Sequence, residues 1–221
     1  MGIKKDYRNT DKCPSLSDVE TKKNILNQKI REKHPRTKIL YNLIKNKQGE
    51  YFKEFAEIYN HKCAYCGAVL KFTDIRLFEV DHFICESSFP NDTNGRATAG
   101  KVENLVFSCY SCNRGKSRLY VELGYQATIN PDDNSIATVF SRDEEYYIKI
   151  SNDSCKDSFV QLFYEKLRLG SEARRIDFLL LEMDNLVAQL LDSNKELAEK
   201  IEQCKSKLLQ KKNYALIKYI S

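Results

Sequence analysis

Two Cys-x-x-Cys pairs, Cys63/Cys66 and Cys109/Cys112, flank the chain's Asp-His step, Asp81-His82. These six residues have the types and spacing that could do chemistry. Thiolates two residues apart on a tight turn occupy two corners of a zinc tetrahedron, and a second pair completes it. One such pair could equally be redox-active. Two pairs separated by 42 residues point to zinc, against the alternative of unligated buried cysteines. Four protein thiolates leave no open position for water or substrate, so such a zinc is structural. Catalysis is then expected of the residues between and beside the pairs.

A neutral imidazole with a pKa near neutrality takes a proton at working pH, which suits His82 to activating water. A carboxylate and an amide oxygen are hard ligands that leave most of a magnesium's positions for water and phosphate oxygens. Arg114 and Lys116 follow Asn113 directly and are expected to contact a substrate backbone, with Gly115 between them admitting a phosphate or serving a turn. In a strand Asp81 and His82 point to opposite faces, so they converge on one phosphate only where the strand ends or bends.

The stretches Cys63–Gly67, Glu79–Phe83 and Glu103–Lys116, taken together, resemble the HNH endonuclease family in its zinc-containing ββα-metal branch. The resemblance covers about 60 residues, from Cys63 to Lys116 with margins. It implies hydrolysis of DNA phosphodiester bonds with a divalent metal, Mg²⁺ or Mn²⁺. His82 would be the general base, Asp81 and Asn113 the metal ligands, and Asn104 the asparagine that orients the site. The third motif position is Asn113 in place of histidine, an HNN variant whose amide oxygen shifts the metal toward Mg²⁺. The proline usual soon after the histidine is absent. The resemblance extends more loosely to small bacterial restriction and phage-defence nucleases, some paired with an ATPase subunit. A non-catalytic zinc module binding nucleic acid or protein is the alternative. Such a module needs the four cysteines but has no need of Asp81, His82, Asn104 and Asn113 together.

The net charge of +5 is unevenly placed. Residues 1–48 carry 13 Lys+Arg against 5 Asp+Glu, so the positive excess lies at the amino end. This region either binds phosphates by counterion release or is a solvated helix face. No apolar run spans a bilayer and no signal peptide is expected, which argues against a membrane partner. Cys13, Cys85, Cys155 and Cys204 are scattered, a pattern of reduced thiols and a cytoplasmic location.

The elements that must hold the site follow from punctuation. Residues 1–54 read as a basic helical region. A helix starts at a Ser17/Glu20 capping box with Ile25, Leu26 and Ile30 on one face; a second runs from Thr37 to Ile44 and a third from Tyr51 to Tyr59. Residues 55–123 form the zinc-stapled core, with strands at Val69–Phe72 and Leu77–Val80, a surface loop at Pro90–Gly95, and a helix from Ser111 to Leu123. Residues 124–155 read as a β-hairpin connector, Ile136–Phe140 with Tyr146–Ile150. Residues 156–221 are helical, with an apolar stripe from Ile176 to Leu208 that is either one coiled-coil helix or a hairpin broken near Asn194. That region is expected to dock a protein partner, an ATPase subunit or a second copy. The fold class is α+β.

Overall fold

Helices with one apolar face each and a fully buried five-residue strand dictate how this chain closes. The computed structural model describes residues 6–10, 15–72, 74–133 and 135–217; Cys13 lies outside them. Helix α1 (Val19–Lys33) buries Val19, Lys23, Leu26 and Ile30, a 4-3-4 spacing that lines one helix face. Ile25, expected on that face, lies about 100° away and is 60% exposed. The Ser17/Glu20 capping box does not form, and Asp18 takes a left-handed conformation at the helix start. The helix stops ahead of His34-Pro35, because a residue preceding proline avoids helical backbone. The second helix is a single turn, α2 (Tyr41–Ile44), shorter than expected. Helix α3 (Glu50–Ile58) turns Tyr51, Phe52, Phe55 and Ile58 inward and feeds directly into the first cysteine pair.

Strands β1 (Phe78–His82) and β2 (Leu105–Cys109) pair antiparallel, with Phe78 opposite Cys109 and His82 opposite Leu105. This corrects the expected strand at Val69–Phe72. Leu70–Phe72 is a 3₁₀ turn, and Val69 makes only an isolated bridge to Lys62. The true partner, Leu105–Cys109, is buried along its whole length, so it lacks the alternation that marks a half-exposed strand. Between the strands lies α4 (Thr93–Ala99), where a surface loop was expected. The Asp92 carboxylate accepts the Gly95 amide at 2.7 Å and starts it. Helix α5 (Tyr110–Lys116) follows β2 without a loop. It ends well short of Leu123 because Ser117 adopts φ 48.

Two short helices, α6 (Leu123–Gln126) and α7 (Ile136–Val139), lead to a second ribbon of β3 (Phe140–Arg142) and β4 (Ile148–Ile150). The expected hairpin is therefore present but shorter, its first half being helical. Helix α8 (Ser158–Lys166) is capped by Asp157, and α9 (Glu172–Leu190) folds back against α10 (Lys195–Ile217). The break falls at residues 191–194, where the Asn194 side chain accepts the Leu197 amide at 3.1 Å. Of the two readings of the carboxyl stripe, the structure has the hairpin. Lys205 reaches back 3.1 Å to Asp184 across it.

The α+β class holds, with small antiparallel ribbons set among helices. One apolar cluster runs from Tyr7 to Leu169, with Phe78 stacked on Phe107 at 5.1 Å beneath β1 and β2. An amino-terminal strap closes over the first cysteine turn. Arg8, 1% exposed, donates to the carbonyls of Ala64 at 2.7 Å and Pro131 at 2.6 Å. Gly67, at φ 76, lets that strap approach, since a Cβ there would sit 2.9 Å from the Arg8 Cα.

Candidate functional site

The sulfur atoms of Cys63, Cys66, Cys109 and Cys112 lie within 4.8 Å of one another, and all four residues are buried. Two pieces of backbone bring them together. The first pair sits on a turn in which Gly67 donates to the Cys63 carbonyl at 2.9 Å, and Ala64 donates to Phe107 of β2 at 2.8 Å. The second pair spans the β2–α5 junction, which places Cys109 at the strand end and Cys112 on the first helical turn. A tetrahedron with metal–sulfur bonds of about 2.3 Å has sulfurs about 3.8 Å apart. The Cys66 and Cys109 sulfurs are separated by 3.8 Å. The donor set and its size thus fit zinc. Hydrogen bonds from Cys112, Cys63 and Cys66 hold the Cys109 thiol well below the usual range, while burial pushes Cys66 and Cys112 up. A dication would settle that conflict by deprotonating all four.

A residue that the spacing of the motifs did not signal completes this centre. Arg174 of α9, buried, donates to the Cys109 sulfur at 3.4 Å and the Cys112 sulfur at 3.1 Å. Burial alone would lower its pKa, but the thiolates of Cys109 and Cys112 hold it well above the usual arginine range. The guanidinium offsets part of the negative charge of four thiolates and ties the carboxyl-terminal hairpin to the core.

At the other end of the ribbon lies Asp81-His82. The Asp81 carboxylate is buried; its Oδ2 accepts the Tyr65 hydroxyl at 2.8 Å and lies 3.3 Å from the Lys116 ammonium. Burial raises its pKa to about 6 against the lowering pull of Lys116 and Tyr65. Lys116 is 1% exposed and also donates to the His82 carbonyl at 2.8 Å. The expectation that Lys116 touches substrate therefore gives way to an inward ion pair. The neighbouring Gly115 lets α5 press on α8, where a Cβ would fall 2.1 Å from the Lys166 carbonyl oxygen. The close approach that Gly115 permits is to protein, not to a phosphate.

His82 turns to the opposite face and packs on Tyr41 of α2, ring centroids 4.3 Å apart. Burial lowers its pKa to about 4, leaving the imidazole neutral at neutral pH. Asn104 fastens the chain that leaves His82. Its Oδ1 accepts the Ile84 amide at 2.8 Å, and its Nδ2 donates to the carbonyls of Ile84 at 2.9 Å and Ala99 at 2.8 Å. Those bonds stand where a proline would otherwise stiffen the turn. Asn113 donates to the Glu79 carboxylate at 2.6 Å, which orients its amide, and Arg114 lies 3.3 Å from the same carboxylate. Glu79 had no expected role, although its place two residues before Asp81 puts both on one strand face.

Asp81, His82, Asn113 and Arg114 line one cleft of about 560 Å³, together with Arg96 and Arg118. The zinc cysteines and Asn104 are not among its walls; they hold its frame. Cys85 also lines it and is buried, while Cys155 and Cys204 are exposed, and no disulfide joins the described cysteines. His61, just before the first cysteine turn, is exposed with φ 55; its amide donates to the Ala56 carbonyl at 2.9 Å and its carbonyl accepts from the Leu70 amide at 3.0 Å. Among the described residues no helix is long and apolar enough to cross a membrane. Neither a curated protein nor a solved structure matches the chain. The family model described as HNH endonuclease matches residues 63–119, which take in both cysteine pairs, β1, β2 and α5. Over residues 63–119, about a quarter of its length, the chain is thus similar to the HNH endonuclease family.

Proposed function

We propose that this protein hydrolyses DNA phosphodiester bonds, with His82 as general base and a Mg²⁺ or Mn²⁺ ion held by Asp81 and Asn113. The observation that carries this reading is the convergence of a neutral histidine, a carboxylate and an amide in one arginine-rimmed cleft. The donors fit such an ion. Tyr65 and Lys116 engage one Asp81 oxygen, and the Asn113 nitrogen faces Glu79, so the cleft is offered hard oxygen donors. When bound, the ion neutralises charge on the scissile phosphate and on the departing oxygen. Arg114 and Arg118 attract and hold the anionic backbone. His82 accepts a proton from the attacking water at its imidazole nitrogen, and the anionic phosphate raises its basicity as substrate enters. Asn104 keeps the histidine turn in register. The products would be 5′-phosphate and 3′-hydroxyl ends.

The cellular setting we infer is a cytoplasmic bacterial restriction or anti-phage system, on the strength of the sequence resemblance. A protein partner, an ATPase subunit or a second copy, would dock on the α9–α10 hairpin, where Leu186, Leu191 and Leu197 are exposed. The decisive experiment incubates purified protein with plasmid DNA, with and without Mg²⁺ or Mn²⁺. Cutting should need the added ion and should fall roughly 10²–10⁴-fold in His82→Ala, with zinc content unchanged. Cutting by His82→Ala at the wild-type rate would remove the histidine from its role, and no cutting under any ion would favour the non-catalytic zinc module.

A further inference from the structure

The family match begins at Cys63, yet the His82 ring is covered from outside it. Tyr41, on α2, lies against that ring, and Lys45, four residues on, carries its ammonium 4.8 Å from the Tyr41 ring centroid. Tyr41, Lys45 and Lys47 line a second cleft of about 260 Å³ whose other walls include Glu79, Asn113 and Arg114. Asn113 and Arg114 belong to both clefts, so the two meet over the start of α5. Positive side chains stand at both ends of this groove: Arg96 and Arg118 at one, Lys45 and Lys47 at the other, Arg114 between. Glu79 is the carboxylate of the second cleft, and it is already engaged by Asn113 and Arg114. Lys47 donates to the Arg76 carbonyl at 2.7 Å, which fixes its ammonium without neutralising it. Among the described residues no carboxylate forms an ion pair with Lys45 or Lys47.

A lone small anion would need one cationic pocket. A groove with cations at both ends and a hydrolytic centre at the junction suits a polyanionic strand lying across it. We infer that the cleft lined by Tyr41, Lys45 and Lys47 is a binding subsite for the nucleic-acid backbone flanking the scissile phosphate. The inference rests on the nuclease reading above and extends it to residues outside the matched segment. The excess positive charge of the amino-terminal region then has a specific use at two lysines.

The test uses the full chain carrying His82→Ala, which binds without cutting, and a labelled duplex oligonucleotide followed by fluorescence anisotropy over a salt series. Adding Lys45→Gln and Lys47→Gln should lower the slope of log affinity against log salt by about 1.8, because each phosphate contact contributes about 0.9. Affinity near 0.1 M salt should fall by up to ~60-fold by the same relation. In the wild-type background the two changes should raise KM and leave kcat within a few-fold. Lys53→Gln, an exposed lysine of α3 outside both clefts, should alter neither. Wild-type cutting combined with an unchanged slope and KM in the double variant would overturn the subsite alone. Absence of both cutting and nucleic-acid binding by the wild-type protein would overturn the nuclease reading and the subsite with it.

Discussion

Replacing Arg174 by Leu removes a cation that touches two of the clustered cysteine sulfurs and nothing in the cleft lined by Asp81 and His82. Four thiolates around one dication carry a net charge of −2, buried, and Arg174 cancels half of it. Two charge-assisted N–H···S bonds, at 3.4 and 3.1 Å, are lost together. Hydrogen bonds to charged groups contribute about 1.5–3 kcal/mol each, but the leucine avoids the cost of burying a guanidinium, so the net is smaller than the sum. Loss of a hydrogen-bonding partner to a metal ligand typically lowers metal affinity by about 10–100-fold, or roughly 1.4–2.8 kcal/mol. The assay is competition for zinc against a chromophoric chelator at fixed pH, read beside thermal unfolding with saturating zinc. Affinity should drop by about one to two decades. Arg174→Lys should recover only part of the loss, because a lysine cannot span both sulfurs. Unchanged zinc affinity in Arg174→Leu would refute the charge-balance argument. A loss of stability in saturating zinc with no change in affinity would show Arg174 to act as packing alone.

The pH response should separate stability from activity. His82, with its folded pKa lowered to about 4, makes stability rise with pH between that value and the unfolded 6.5, because only the unfolded chain binds the proton there. Asp81, raised to about 6, does the reverse from 3.8 upward, and the two slopes nearly cancel. Activity at subsaturating divalent ion should instead fall on the acid side near pH 6, where Asp81 takes up its proton, and an acid limb near 4 would assign the loss to His82. Asn104→Ala removes three hydrogen bonds and should lower unfolding free energy by roughly 2–4 kcal/mol in denaturant titration, with zinc retained. Gly115→Ala must push α5 from the Lys166 carbonyl and should cost about 1–3 kcal/mol while reducing cutting, since Asn113 and Arg114 move with the helix. A neutral Gly115→Ala would mean that α8 can retreat freely.

The zinc centre was legible because cysteine spacing is itself the chemistry; no register or packing had to be known. The helix before the first pair and the turn at Asn194 were legible from the apolar runs and polar breaks. What escaped was decided by tertiary contact. Leu105–Cys109 is apolar on both faces, so its strand character shows only when Phe78–His82 lies beside it. The loop expected at Pro90–Gly95 hid the start of a helix that depends on one Asp92–Gly95 bond. Lys116 was expected at a substrate backbone and Arg174 carried no expectation, yet each is buried against negative atoms that come from distant segments. Tyr41 gave no signal at all, because its meaning lies in a ring 41 residues further along.

The β1–β2 ribbon is also a lever. Cys109 at one end is opposite Phe78, and His82 at the other is opposite Leu105, four residues along. At about 3.4 Å per residue the arm is roughly 14 Å long. A tilt of about 5° at the cysteine end would then swing the histidine end by about 1 Å, a misplacement that can reduce turnover about a hundredfold. The stiffness of the sulfur cluster would then set an angular tolerance on the proposed catalysis. Substituting a metal of different radius in the four-cysteine site would tune the reaction from a distance, without touching any residue in the cleft.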